Sequence, residues 1–217
     1  MKRTILFLLF FLPVILMGQE TRKVTNGEKN EQFHVLKSDK QTRHGKYQKF
    51  SLKNKLLIKG NYYNGVKDSV WVFYASDGQI NSKYDYSKNE LIYFKYDNFN
   101  AQREHKVIKG SSSIMTTLSR PPILLGGSDN YANILIKNLQ YPQDARENRI
   151  TGLVHVLFTI NKSGQVSDYR IEKPLGYGID EEAIRVAKLF QEYWVAGIIN
   201  NQTVDVEMRF PFYFQLQ

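Results

Sequence analysis

Between Val204 and Leu216 every second side chain is apolar: Val204, Val206, Met208, Phe210, Phe212, Phe214 and Leu216. Asp205, Glu207, Arg209, Pro211, Tyr213 and Gln215 lie between them. A period of two over this length predicts a half-buried β-strand. Pro211 lacks an N–H, which suits an edge strand or a bulge. The same alternation over residues 152–160 places Val154, Val156, Phe158 and Ile160 on one face. Asn161 to Gly164 then predicts a hairpin turn into a return strand over residues 165–173. Helical spacing appears elsewhere. Ser128 or Asp129 can cap a helix that runs to about Asn138, with Ile134, Leu135 and Leu139 on its buried side. "PQDARENRI" reads as a short helix with Pro142 in its first turn. Asp180 is the expected cap of a third helix, with Ile184, Ala187, Phe190 and Trp194 along one face. Glu181 and Glu182 suit its positive N-terminus. The order helix, strand, strand, helix, strand predicts an α+β domain, a small antiparallel sheet with helices packed on one side.

The first half carries a different pattern. Residues 44–65 align with residues 68–89 at an offset of 24, which places Tyr47 on Trp71, Phe50 on Tyr74, Leu56 on Ile80 and Tyr62 on Tyr86. Each unit reads aromatic strand, turn, strand, with Asn64-Gly65 and Asp77-Gly78 as turns. One such unit cannot bury its own aromatic face, so the hairpins must stack, and residues 90–99 supply a further partial strand. Gly60, Tyr62, Gly65, Trp71, Tyr74 and Gly78 resemble the MORN-type repeats of exported bacterial proteins, with Ser69 standing where that pattern has glycine. Residues 19–41 read as a flexible lead-in, 42–105 as the β-rich repeat region (its MORN-like units about 44–99), 106–120 as a Ser/Thr-rich linker closed by Pro121-Pro122, and 121–217 as the α+β domain.

Charge separates the halves. Residues 19–120 carry 19 Lys and Arg against 10 Asp and Glu, and residues 121–217 carry 9 against 11. Lysines spread along strands read chiefly as a solvated face, and a basic half also suits anionic surfaces or polysaccharide. Residues 1–18 read as a signal peptide: Lys2 and Arg3, an uncharged run from Ile5 to Met17, then Gly18. As a helix this run spans only about 20 Å against a hydrocarbon core of about 30 Å. A short uncleaved inner-membrane anchor facing the periplasm is the alternative. The chain has no cysteine, which excludes disulfides, thiol catalysis and zinc–thiolate sites.

The C-terminal segment resembles a TonB C-terminal domain. The resemblance rests on Tyr141-Pro142, Ala145, Gly152, Val154, Val156, Phe158, Ile160, Gly164, Val166, Asp180, Ala183, Trp194, Gly197, Phe210-Pro211 and Phe214. It implies a periplasmic protein that grips an extended segment, the TonB box, of outer-membrane TonB-dependent transporters. The box would add as a strand beside the last strand of the domain. That strand would then be left unpaired on one side, with Val204, Asp205, Val206, Glu207, Met208, Arg209 and Phe210 as partner-binding residues. Gln140, Tyr141 and Pro142 would lie near the bound segment. Energy transduction through an ExbB–ExbD motor is implied only if the N-terminus is retained. An exported envelope scaffold using this fold without energy coupling is the alternative.

Catalysis is not expected. Asp180, Glu181 and Glu182 are explained by a helix terminus, and His34, His44, His105 and His155 show no metal-ligand spacing. Gly176-Tyr177-Gly178 and Gly126-Gly127 read as turns rather than a phosphate loop. No cofactor, metal or nucleic-acid partner is expected, and oligomeric state is left open.

Overall fold

The structure, a computed structural model, describes residues 20–95 and 103–216. The apolar run at residues 5–17 lies outside the described residues. Among those described, no helix is long and apolar enough to cross a membrane.

Seven strands form an antiparallel meander in chain order: β1 (Thr21–Asn26), β2 (Glu31–Leu36), β3 (Arg43–Phe50), β4 (Leu56–Tyr63), β5 (Val66–Tyr74), β6 (Ile80–Asp85) and β7 (Glu90–Phe94). The expected flexible lead-in is therefore β1 and β2. Its apolar positions are few, but Val35 is buried and the β2 backbone pairs with β3. The 24-residue offset has a physical meaning in this sheet. Tyr47 on β3 stacks on Trp71 two strands away, ring centroids 5.1 Å apart, and Tyr62 meets Trp71 edge-on. Gly60 on the intervening strand makes the stack possible, since a Cβ there would stand 2.3 Å from the indole. Gly45 and its offset mate Ser69 both have left-handed backbones, φ 98° and 57°.

Residues 106–120, expected as a linker, contribute most of a β-hairpin, β8 (Glu104–Lys109) and β9 (Ser112–Thr117). Gly110, at φ 61°, sits in its two-residue turn, a position glycine takes at little cost. Then follow β10 (Ile123–Leu124), α1 (Gly127–Asn138), α2 (Gln143–Glu147), β11 (Gly152–Ile160), β12 (Val166–Ile171) and α3 (Ile179–Ala187). A 3₁₀ segment, Lys188–Tyr193, leads to β13 (Trp194–Val195), β14 (Gly197–Ile199) and β15 (Gln202–Phe214).

The caps differ from expectation. α1 begins after a left-handed Gly126 with no side-chain cap. The Gly126 N–H instead donates to Ser82 Oγ on β6, and the buried Asn130 donates to the Leu125 carbonyl. α3 likewise begins after Gly178, and Asp180 turns back to accept the N–H groups of Leu175 and Gly176. The expected apolar face of this helix continues past its end. Ala187, Phe190 and Trp194 are all buried, but Phe190 lies in the 3₁₀ segment and Trp194 in β13.

The second sheet runs β12-β11-β15-β8-β9, with β14 also on β15. Its inner face buries Val154, Val156, Phe158, Ile160, Phe212 and Phe214 under α3 and Phe190. The two halves are not separate cores. Ile123, Leu125 and Val195 pack with Tyr47, Leu57, Ile58, Trp71 and Phe73 of the meander. Tyr193 borders both clusters and meets Phe73 edge-on.

Candidate functional site

The strand expected to bind a partner, β15, is central in its sheet. β11 covers one side from Val206 to Phe214 in nine register pairs. On the other side β8 pairs with Asp205, Val206 and Glu207. β14 pairs with residues 202–204 on the β11 side, since Ile198 exchanges its backbone bonds with Arg120 and leaves Gly197 and Ile199 facing Val204 and Gln202. Thus Asp205, Val206 and Glu207 have a strand of this chain on the side expected to be open. The hairpin was missed as an element because "KVIKGSSSIMTTL" alternates only weakly and its second strand buries almost nothing. Among residues 104–117 only Val107 is buried, against Val206 and Leu118.

Beyond Glu207 no strand among the described residues covers this side of β15. Which backbone groups point there follows from alternation in an antiparallel ladder. His155 faces Pro211 in register, and its carbonyl accepts the Glu172 N–H on the other side. The His155–Pro211 pair is therefore a non-hydrogen-bonded one, and the Pro211 backbone points outward. Its carbonyl accepts the Tyr131 hydroxyl of α1. By the same parity Asp205, Glu207, Arg209 and Tyr213 point their N–H and C=O groups outward. β8 occupies the first two. Pro211 offers no N–H and has its carbonyl filled, so among the described residues Arg209 alone presents an uncovered pair next to the stretch that β8 covers.

A groove of about 810 Å³ opens here, lined in part by His105, Tyr131, Met208, Arg209, Phe210 and Pro211. Two of its lining atoms, Asn81 Oδ1 and His105 Nε2, are buried with no hydrogen-bond partner among the described residues. Burial, reinforced by Arg103, holds the His105 imidazole below its ordinary value. Burial also pushes the Tyr131 phenol up to about 12.

Charges line the solvent face beside it. Glu207 pairs with Lys106 Nζ across the β8 contact at 3.3 Å and with Arg170 of β12. Arg209 donates to Glu172 at 2.8 Å and to His155 Nδ1 at 3.1 Å. These bonds hold the Glu172 carboxyl below the usual carboxylate range. Burial and then Arg209 lower His155. Among the described residues no group of three or more His, Asp or Glu side chains is arranged to hold a metal.

Gln140, Tyr141 and Pro142 sit elsewhere. The Gln140 N–H donates to Glu182 Oε1 at 2.6 Å, and Tyr141 donates to the Ile150 carbonyl. Tyr141 packs edge-on against Phe214, at the far end of β15. At about 3.3 Å per residue, the seven steps from Glu207 to Phe214 place that contact about 23 Å away. Site residues expected to act together thus lie at two ends of one strand, with Met208, Arg209 and Phe210 between them.

Residues 137–216 match the family model for the Gram-negative bacterial TonB protein C-terminal. Comparison with curated proteins and with solved structures gives no match.

Proposed function

We propose that residues 137–216 act as a TonB-like module that binds extended segments, TonB boxes, of outer-membrane transporters by strand addition to β15. The protein would work in the periplasm and take part in energised transport, coupling to an ExbB–ExbD motor if its N-terminus is retained as an anchor. One observation carries this reading: the last strand of the matched segment points the backbone of Asp205, Glu207 and Arg209 away from β11. Each hydrogen bond made there contributes about 0.5–1.5 kcal/mol net. A handful of them, less ordering costs, gives a transient complex of roughly micromolar affinity or weaker.

The experiment is a titration of the ¹⁵N-labelled chain with synthetic transporter segments. Saturable shifts are expected at Glu207 and Arg209. Glu207→Pro and Arg209→Pro remove outward N–H groups and should abolish binding, while alanine at either position should cost much less. Met208→Pro, whose N–H points to β11, serves as the control for damage to the fold. Equal losses from proline and alanine, or no saturable binding by several segments, would sink the proposal. The envelope-scaffold reading is favoured by one specific observation, that β8 already fills Asp205–Glu207.

A further inference from the structure

The two neighbours of β15 are held very differently. β11 pairs with it through nine residues and buries Val154, Val156, Phe158 and Ile160 beneath the helices. β8 pairs through three residues and anchors its whole hairpin by Val107. β9 covers no buried surface of its own, and its Ile114 and Met115 are exposed. The hairpin closes on itself by six register pairs, so it can leave β15 without losing its own ladder. Where β8 stops pairing, the groove exposes Arg209, the next outward-pointing residue.

From this we infer that the β8–β9 hairpin is an internal ligand of β15, a strand that an external segment of the same chemistry displaces. The incoming strand pairs first at Arg209 in the groove, then replaces β8 at Glu207 and Asp205. The contacts of β8 define what fits. An aliphatic side chain must replace Val107 in the small pocket made with Val206, Leu118 and Met208. A basic side chain beside it must replace Lys106 opposite Glu207, on the solvent face. The partner is thus an extended segment in which a basic residue adjoins an aliphatic one. This inference rests on the proposed use of the β15 edge but commits to its gate and its chemistry.

The test uses the hairpin itself as probe, a synthetic peptide of residues 104–117. Three forms of the full chain are compared: the intact chain, one with residues 104–117 replaced by an equal length of Gly and Ser, and V107C/V206C. The last joins a register pair that is not hydrogen-bonded, in a chain with no other cysteine. The replaced chain should bind the peptide saturably, with shifts at Asp205, Glu207 and Arg209, at least tenfold more tightly than the intact chain. Oxidised V107C/V206C should not bind it, and reduction should restore saturable binding. A peptide carrying V107D or K106E should bind at least tenfold more weakly than the parent. If the replaced chain fails to fold, Val107→Asp in the full chain releases the hairpin in its place. Equal binding by all three forms, or none by the released chain, overturns the inference. Peptide binding with no binding of transporter segments would overturn the proposed function alone. Transporter segments bound equally by the oxidised and reduced V107C/V206C chain would overturn this inference alone.

Discussion

Gly60 lies under the Trp71 indole, where a Cβ would fall 2.3 Å from the ring. Tyr47 and Tyr62 close the same cluster, so the ring has nowhere to go. Gly60→Ala should therefore destabilise the chain by about 3 kcal/mol, an overpacking cost read from urea unfolding. The two perturbed histidines make a second prediction at this scale. His105 is lowered by burial and then Arg103, and His155 by burial and then Arg209 and Lys173, against Glu172. The unfolded chain protonates both first, at its ordinary value of about 6.5, so it binds more protons than the folded chain just below that pH. Stability should fall as pH drops from about 7.5 to about 5.5, and the H105Q/H155Q double variant should show a smaller fall. An unchanged slope in the double variant would show that other groups set it.

At the scale of elements, the sheet of the C-terminal half divides into a firmly held part and a lightly held one. β11, β12 and β15 share the core of α3, whereas β8–β9 docks through Val107. Val107→Ala should weaken that docking by about 1–2 kcal/mol, the range for trimming a buried aliphatic side chain. Amide exchange is the suitable measurement, because local opening exposes some hydrogen bonds before others. Asp205 and Glu207 should exchange faster in the variant, while Val154 and Val156 keep their protection. Uniform acceleration across the sheet would mean that the hairpin is integral to the fold.

For the whole molecule, Tyr193 joins the halves. Its ring meets Phe73 of the meander, its carbonyl accepts the Leu125 N–H, and burial pushes its phenol well above the ordinary range. Lys67 on β5 also pairs with the neighbouring Glu192 at 3.1 Å. Each half holds one tryptophan, Trp71 in the meander and Trp194 in the C-terminal core. Single-tryptophan chains, W71F and W194F, should give coincident unfolding transitions, as one cooperative unit requires. Adding Tyr193→Ala should cost about 2–3 kcal/mol and separate the two transitions. Coincident transitions in that variant would place the coupling in the remaining contacts of Ile123, Leu125 and Val195.

Alternation and helical spacing determined the elements that bury a regular face. β11 from Gly152 to Ile160 and the long β15 were legible because one face of each packs on apolar neighbours. The aromatic offset located β3 to β6 for the same reason, since Tyr47 and Trp71 serve one stack. The caps were not legible, because Ser82 and Asn130 meet at Gly126 only after β6 and α1 are brought together. Nor was the hairpin at residues 104–117, whose strands bury a single side chain and leave little period to read. Tertiary structure alone decided that β15 is central along Asp205–Glu207 and, among the described residues, open beyond it on that side. Local sequence can make a strand, but what lies beside its backbone depends on where a segment a hundred residues away comes to rest.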